Sequence, residues 1–317
     1  MKEQSPINFW GIGAQKAGTS WLYYNLSKAP GFAIPPVKEF HYFDRDTKYP
    51  SPNKLSETKV KDRINLAYLK KAARAIMSSL LKGKMKHVAF NFKWFFSDYS
   101  DEWYISIFAP FKGIKGEITP SYSMLTKEDI SRMYAMAPNA KLVLMLRNPI
   151  DRAWSHFRHT KKRIKGFTLN NIEESDIIAF MQSEGQELRS DYVRTINNFT
   201  SVFPKEQLLI GFFDAIMDAP EQLLEEVIQF ISSNIESEEE FKKSWNVDDS
   251  AIKKVVNKSI ELDCPPAVLA IIREKYHDMS LDLANQYGGY FNKWYFENYG
   301  KHSENKDDRL FPTIRIS

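Results

Sequence analysis

The run KLVLMLR at residues 141–147 places the tightest constraint on the fold, because it is almost continuously apolar. A strand with one wet face alternates apolar and polar residues, whereas a strand buried on both faces of a parallel sheet does not. Residues 7–13, 114–119 and 207–213 form further short β-rich runs, and segments with helical spacing separate them. We therefore expect an α/β fold with three layers, in which helices flank a central parallel sheet.

The organisation of the chain follows from its length and from the lack of linkers. Its 317 residues contain no internal repeat or linker-like stretch, so we predict a single domain over residues 1–317 with an inserted loop and helix at 45–87. Within this insertion, residues 64–84 are amphipathic. A helix packed on its own domain explains that pattern more simply than a helix lying on a membrane surface. Other helices are predicted at 19–28, from 149 to about 162, and at 220–231, 266–277 and 281–286.

Composition and charge exclude several classes of protein. A net charge of +4 is too small for a typical nucleic-acid-binding domain, but it is compatible with a small anionic ligand held by a few cations. The polar N-terminus lacks the core of a signal peptide, and no apolar run reaches the roughly 20 residues of a spanning helix. We expect a soluble, cytoplasmic protein with no integral membrane span. The single cysteine, Cys264, cannot form an internal disulfide, and no Cys/His cluster predicts a metal site.

The segment GIGAQKAGTSW, residues 11–21, lies between the first strand and the first helix. Small residues let the backbone approach a ligand, and the N–H groups that begin the helix favour a phosphate-like anion. Lys16 adds a positive charge, and Thr19 and Ser20 add hydroxyl donors. The ATP- or GTP-binding pattern G-x-x-x-x-G-K-[ST] requires a lysine directly after the second glycine, where this chain has Thr19. A tight turn with a surface lysine is the plainer interpretation of the loop taken alone.

A second candidate for anion binding follows the central strand. Arg147 ends that strand, and Ser155 lies inside the helix that Asn148 and Pro149 begin. Ligands of open parallel sheets bind beyond the carboxyl ends of the strands, where an arginine and a helix hydroxyl suit a phosphate. An arginine that merely caps the sheet, with a buried serine, is the competing interpretation.

A candidate catalytic pair lies in VKEFHYFD, residues 37–44. If this segment is extended, successive side chains alternate, so that Glu39, His41 and Phe43 share one face. A carboxylate beside an imidazole then supplies a general base in the useful pKa range. A loop anchored by its aromatic residues is the alternative.

Together these segments resemble the sulfotransferases that depend on 3′-phosphoadenosine 5′-phosphosulfate (PAPS), in particular the glycosaminoglycan-type and related bacterial branch. The first loop fits x-K-x-G-T-[ST]-W, residues 147–155 fit R-[ND]-P-x-x-R-x-x-S, residues 38–44 fit K-E-x-H-[FY]-F-D and residues 116–122 fit G-E-x-[TS]-P-x-Y. The resemblance runs from Phe9 to about Trp294 and implies a P-loop-like form of the expected fold.

The resemblance implies roles in binding the donor. Lys16 would contact the bridging and sulfuryl oxygens, while Arg147 and Ser155 would hold the 3′-phosphate. Tyr192 would lie near the adenine. The 5′-phosphate would be bound by the segment that comprises Ala17, Gly18, Thr19, Ser20 and Trp21. A later loop would close over the 3′-phosphate with Lys258 and, on a weaker match, Ser259.

On the acceptor side, the resemblance makes Glu39 the base that takes the acceptor proton. His41 would bond to the acceptor or to the transferring group, and Asp44 and Tyr122 complete the implied acceptor site. Relatives that act on glycosaminoglycans often have basic residues where this chain has Ser20 and Ile118. Their absence argues against a polyanionic sugar chain as acceptor.

The expected function is therefore transfer of a sulfuryl group to a hydroxyl or amine of a carbohydrate or small molecule, with release of adenosine 3′,5′-bisphosphate (PAP). No metal is expected to take part. Two alternatives stay open on the sequence, namely a P-loop-type nucleotide kinase and a non-catalytic protein that binds PAP or another nucleotide. The aromatic residues at 92–104 are either core or an acceptor pocket, and the oligomeric state is not predicted.

Overall fold

The computed structural model describes residues 7–161, 173–233 and 263–316. Within these residues, one sheet has the strand order β2-β1-β3-β4-β5. Its strands are β1 (Phe9–Gly13), β2 (Gly116–Ile118), β3 (Lys141–Leu146), β4 (Leu208–Phe212) and β5 (Thr313–Arg315). The first four are parallel to their neighbours and buried throughout, as the apolar runs predict. The α/β fold is confirmed, although β5 pairs antiparallel with β4 at the edge, so the sheet is only mostly parallel.

Helices connect and flank the strands. They are α1 (Thr19–Leu26), α2 (Val60–Arg63), α3 (Leu66–Leu81), α4 (Met85–Phe96), α5 (Asp101–Ser106), α6 (Lys127–Met136), α7 (Pro149–Lys161), α8 (Glu174–Met181), α9 (Glu184–Ser190), α10 (Tyr192–Thr200), α11 (Ala215–Asp218), α12 (Pro220–Ser232), α13 (Pro266–Tyr287) and α14 (Tyr290–Tyr299). Short 3₁₀ turns lie at Pro120–Met124 and Lys205–Gln207.

The prediction of two helices at 266–277 and 281–286 is wrong, because α13 runs through both. Tyr276 and Leu283 are buried and seven residues apart, so one apolar stripe continues across the intervening polar residues. Ser280 does not interrupt the helix, because it too is buried on that side. The sequence analysis also missed α14 and the three-residue strand β5.

The start of α7 is as predicted. The Asn148 side-chain oxygen accepts a hydrogen bond from the N–H of Ile150 (3.1 Å), and the Asn148 carbonyl accepts one from the N–H of Arg152 (2.9 Å). Pro149 occupies the first helical position, where the lack of an N–H has no consequence. This cap fixes the direction in which the chain leaves β3.

The strand order creates a crevice at one edge of the sheet. Phe9 of β1 pairs with Gly116 of β2 on one side and with Lys141 of β3 on the other, so the three strands begin level with one another. The chain passes from β1 to β2 on one side and then to β3 on the other. Such a reversal opens a ligand-binding crevice beyond the carboxyl ends of the strands.

Candidate functional site

The first loop joins β1 to α1 and ends at a glycine that the conformation requires. Gly18 has φ +86°, in the left-handed region, and a Cβ there would lie 2.4 Å from Cδ1 of Ile216. The first helical hydrogen bond is donated by the N–H of Leu22 to the carbonyl of Gly18 (3.1 Å). The N–H groups of Thr19, Ser20 and Trp21 therefore precede the helical ladder, where they can bind an anion.

Lys16 lies in the same loop, half-buried and with φ +74°. The loop is tied to the central strand, because the Ala14 N–H donates to the Met145 carbonyl (2.5 Å). It is tied to α7 as well, since Nη1 of Arg152 donates to the Gln15 carbonyl (3.5 Å). The loop therefore stands directly beside the segment that follows β3.

Arg147 lies on the other side of this junction. Its guanidinium packs 4.5 Å from the centre of the Phe213 ring. The same ring approaches the first loop, because its Cδ2 is 3.2 Å from the position of a Cβ on Gly18. Gly18 and Arg147 thus flank one aromatic side chain. The two predicted anion-binding segments therefore lie close together, beside the same ring.

Ser155 lies on α7, two turns after Arg147. The side chain is 1% exposed, and among the described residues its Oγ has no hydrogen-bond partner. A buried hydroxyl without a partner destabilises the fold by about 1–3 kcal/mol. A ligand oxygen at this position would remove that penalty.

Tyr192 and Arg152 hold the same corner together. The buried Tyr192 hydroxyl donates to the carbonyl of Arg147 (2.7 Å), so Tyr192 supports the end of β3. Arg152 is fully buried, and its Nη2 donates to the Ser190 hydroxyl (2.5 Å), so its contacts are those of a structural residue. Lys258 and Ser259 lie outside the described residues.

The acceptor-side segment is not extended, so the alternation argument is wrong. His41 has φ +57°, in the left-handed region, and Phe43 is buried in the core. Glu39 and His41 nevertheless meet, with 3.5 Å between Glu39 Oε2 and His41 Nε2. They meet because the chain turns at His41, and not because their side chains alternate along a strand.

Two charged groups flank the pair formed by His41 and Glu39. The His41 Nδ1–H donates to Oδ2 of the fully buried Asp44 (2.8 Å), which orients the ring. His41 Nε2 is buried and faces Oε2 of Glu39 at 3.5 Å, and it has no closer hydrogen-bond partner among the described residues. On the far side, Nζ of Lys38 lies 2.6 Å from Glu39 Oε1. The imidazole therefore has one nitrogen fixed and one directed at Glu39.

The environment separates the protonation states of this pair. Burial raises the pKa of Glu39, but hydrogen bonds and charge from His41 and Lys38 outweigh it and hold the pKa at about 2. Burial lowers the pKa of His41, but Asp44 and Glu39 outweigh it and raise the pKa to about 9. Near neutral pH the carboxylate is charged and the imidazole is protonated. The pKa of Glu39 is therefore lower than the range expected from the sequence.

Glu117 supports this loop, and the sequence analysis did not identify it. Its fully buried carboxylate accepts hydrogen bonds from the hydroxyls of Tyr104, Thr119 and Tyr122 (2.6 Å each) and from the N–H of Phe40 (3.2 Å). Burial raises the pKa of Glu117. The carboxylate fixes residue 40 between the two members of the candidate pair. The only sequence signal was its place in G-E-x-[TS]-P-x-Y.

Tyr122 lies beneath the loop rather than on its open side. It is fully buried, its hydroxyl donates to Glu117, and the same oxygen accepts from the N–H of Tyr42 (3.2 Å). Tyr122 therefore does not lie beside Glu39 and His41 on the side where the acceptor substrate was expected to bind. Its observed contacts are those of a residue that holds the loop in place.

The aromatic residues at 92–104 belong mainly to the core. Trp94 packs against Phe40 with ring centres 5.1 Å apart, and Tyr104 is fully buried and stacked on Tyr42. Phe92 and Phe96 differ, because they are exposed. No group of acidic, histidine or cysteine side chains in the described ranges could hold a metal ion. Among those same ranges, no helix is long and apolar enough to cross a membrane.

Comparison with known proteins agrees with this geometry. Residues 9–237 match the sequence model described as "Sulfotransferase family". No curated protein matches the chain at a significant level. A sulfotransferase from Alicyclobacillus acidocaldarius has a similar structure, with a TM-score of 0.51 and 19% identity over 93% of this chain and 96% of that one.

Two other solved structures are more distant. The sulfotransferase domain from the curacin biosynthetic pathway has a TM-score of 0.45 and 14% identity, covering 84% of this chain and 96% of that one. Sulfotransferase STF9 from Mycobacterium avium has a TM-score of 0.42 and 14% identity, covering 86% and 76%. Of the three, the Alicyclobacillus structure alone is similar enough to support the fold.

Proposed function

The chain belongs to the sulfotransferase family, and on this premise we propose that it transfers the sulfuryl group of PAPS to a hydroxyl or amine of a carbohydrate or small-molecule acceptor, releasing PAP. The family assignment removes the nucleotide kinase as an alternative. The observation that carries the proposal is the order of three segments along one edge of the sheet.

That order matches the order of groups along the donor. Glu39 and His41 are anchored at the end of β2 through Phe40, Lys16 follows β1, and Arg147 follows β3. Neighbouring strands are about 4.8 Å apart, so the outer two of these three strands are separated by about 10 Å. One nucleotide can therefore contact the lysine loop and the arginine while its sulfuryl end lies near the acceptor side.

The chemistry of the donor-binding residues fits PAPS. The N–H groups at the start of α1 and the charge of Lys16 suit the 5′-phosphosulfate, where they stabilise charge on the bridging oxygen. Arg147 and the unpaired hydroxyl of Ser155 suit the 3′-phosphate. Tyr192 donates a hydrogen bond to the carbonyl of Arg147, and in this proposal the adenine of the donor lies near Tyr192. We also assign Lys258 and Ser259 to the 3′-phosphate, by resemblance to the family alone.

Glu39 is the proton acceptor in this proposal. Its pKa of about 2 makes it a weak base, so it takes the acceptor proton late, once the new bond to sulfur has made that proton acidic. Late transfer suits a loose transition state, which we infer by analogy with phosphoryl transfer. The protonated His41 donates a hydrogen bond to the transferring group, and Asp44 keeps the ring oriented.

The acceptor is proposed to be neutral or weakly charged. Ser20 and Ile118 stand where relatives that act on glycosaminoglycans often have basic residues, and Ile118 is fully buried in β2. The site draws on segments from β1 to α10, and this supports our proposal of a single domain over residues 1–317 with an insertion at 45–87.

Transfer from radiolabelled PAPS to a panel of carbohydrate, phenolic and lipid acceptors tests the proposal. Glu39→Gln is expected to reduce the turnover number about 10²–10⁴-fold while PAP affinity, measured by calorimetry, stays as in the wild type. Asp46→Asn is a matched control, since it neutralises a nearby exposed carboxylate outside the site. A Glu39→Gln protein that transfers at the wild-type rate would remove the base assignment. Failure of every acceptor, with PAP still bound, would favour the non-catalytic alternative.

A further inference from the structure

Helices α3 and α4 form a hairpin that leaves two apolar stripes uncovered. On α3, residues 66, 69, 73, 77 and 80 repeat every three or four positions and are all exposed. On α4, residues 85, 89, 92 and 96 repeat in the same way and are also exposed. The large apolar members of both stripes are 40–68% exposed, and Leu81, which ends α3 beside its stripe, is 81% exposed. Several large apolar side chains exposed on one hairpin usually mark an interaction surface.

The packing of the hairpin itself uses other sides of the helices. The buried side of α3 carries small residues, among them Ala72 and Ser79. The Asn91 side chain of α4 crosses to this side, donating to the Ala75 carbonyl and to the Ser79 hydroxyl (3.1 Å each). The exposed leucines and methionine of α3 lie outside these hydrogen bonds between the two helices.

The rest of the protein contacts the opposite side of α4. Phe90 and Trp94 pack against Phe40, with ring centres 6.0 and 5.1 Å apart. At about 100° per residue, Phe92 and Phe96 lie roughly 150° around the helix from these core contacts. Both apolar stripes thus lie away from the core.

The charge of the hairpin is one-sided. Residues 64–97 contain seven lysines and arginines and no aspartate or glutamate, whereas the whole chain has a net charge of +4, so the remainder carries −3. Lys70, Lys71, Arg74 and Lys82 of this segment are exposed, and at about 100° per residue Lys70 and Arg74 lie beside the apolar stripe of α3. Among the described residues, no carboxylate forms a salt bridge with any of these four.

We propose that this hairpin docks the protein onto an anionic membrane surface, with the leucine, methionine and phenylalanine stripes entering the interface and the basic residues meeting lipid headgroups. An apolar stripe bordered by lysine and arginine is the pattern of helices that lie in a membrane interface. A second copy of the chain is a poor partner, because its own hairpin carries the same positive charge. The helices have 16 and 12 residues, too short to span a bilayer, which requires about 20.

Docking in this way would keep the candidate site close to the lipid. Phe40, between Glu39 and His41, contacts the inner side of α4, and the proposed lipid contact is on the outer side. A helix is about 10–12 Å in diameter with its side chains, so this distance separates the loop from the interface. The inference does not depend on the reaction, because membrane binding can be measured without any donor or acceptor.

Vesicle co-sedimentation tests the proposal with the full chain. The wild type is expected to sediment with vesicles of phosphatidylcholine mixed with phosphatidylglycerol at low salt and to dissociate from them at high salt. Lys71→Gln/Arg74→Gln/Lys82→Gln should weaken binding about a hundredfold at low salt. Leu66→Gln/Leu81→Gln should weaken it at least about tenfold, because two exposed apolar side chains no longer enter the interface.

Two controls separate the hairpin from general surface properties. Lys127→Gln/Lys301→Gln removes exposed charge elsewhere, and Met217→Gln removes an exposed apolar side chain elsewhere. Both are expected to bind as the wild type does, and circular dichroism should show unchanged melting for every variant.

Several results would overturn the proposal. One is a wild type that ignores anionic vesicles, and another is binding that survives both sets of hairpin substitutions. Equal binding to pure phosphatidylcholine at high salt would exclude the role of charge. If light scattering shows a dimer that Leu66→Gln/Leu81→Gln dissociates, the surface is a subunit interface instead.

Discussion

Replacing Asp44 by asparagine removes the buried charge beside His41 and keeps the shape of the side chain at position 44. Asp44 is fully buried, and its Oδ2 lies 2.8 Å from His41 Nδ1. Asparagine can still accept a hydrogen bond from this nitrogen, but it cannot stabilise a positive imidazole. The pKa of His41 in Asp44→Asn should therefore fall from about 9 towards or below the ordinary 6.5, because burial then dominates.

The energetic consequence follows from that pKa. Raising the pKa of a histidine from 6.5 to about 9 stabilises the folded protein by about 3 kcal/mol. This stabilisation is complete below about pH 6.5, and it is lost as the pH rises through about 9, because the charged imidazole is what the folded state favours. Asp44→Asn should lower the free energy of unfolding by about 2–3 kcal/mol near pH 6, and the difference from wild type should narrow above about pH 9.

Urea unfolding of both proteins across this pH range measures the difference directly. Nuclear magnetic resonance of the histidine ring protons gives the pKa of His41, and its signal can be assigned by its loss in His41→Asn. In the His41→Asn background, Asp44→Asn should have no pH-dependent effect on stability. A wild-type His41 that titrates near 6.5, or a stability difference that stays constant from pH 6 to beyond 9, would refute the electrostatic argument.

Two further substitutions test the backbone and the support of the site. Gly18→Ala should lower the free energy of unfolding by at least about 1–2 kcal/mol and weaken PAP binding, because φ is +86° and the new Cβ meets Ile216; urea unfolding and calorimetry measure both, and unchanged values would contradict the loop geometry. In Glu117→Gln, an NH₂ group faces two of the four hydrogen-bond donors that the buried carboxylate accepts from. The free energy of unfolding should therefore fall by about 1–3 kcal/mol, and sulfuryl transfer should be slower while PAP affinity is retained. A Glu117→Gln protein as stable and active as the wild type would argue against its positioning role.

The strands of the parallel sheet follow from the sequence because their signals are local. The run at 141–147 is almost entirely apolar, as expected for a strand whose two faces are both covered, and β3 is buried throughout. The charged Arg147 follows directly after the strand. The cap at Asn148 and Pro149 is equally local. The strand order, which places Lys16 after β1 and Arg147 after the neighbouring β3, depends on the whole sheet and was not predicted. The expectation that both residues bind one donor came from the resemblance to the family.

The catalytic loop could not be derived in the same way, because its shape depends on distant partners. The extended form expected for residues 37–44 is not present, and the N–H of Phe40 donates to the side chains of Glu117 and Thr119, which are 77 and 79 residues away. These contacts anchor the segment at the end of β2. The left-handed turn at His41 is a consequence of that tertiary anchoring.

Glu117 illustrates the same limit. Its partners are 2, 5, 13 and 77 positions away in the chain, so no spacing rule identifies them. Its carboxylate would ordinarily be read as surface charge, and Tyr122 as an exposed contact for the acceptor. Both are instead buried under the loop, where a charged group and three hydroxyls satisfy one another.

The central claim is that the loop after β1 and the end of β3 bind one doubly phosphorylated nucleotide. Calorimetric titration of wild type and Arg147→Ala with PAP and with adenosine 5′-monophosphate tests it most directly. The wild type should bind PAP more tightly, and Arg147→Ala should lose most of that preference, because only PAP carries the 3′-phosphate. If Arg147→Ala keeps the wild-type ratio of the two affinities, Arg147 does not hold the 3′-phosphate and the account is contradicted.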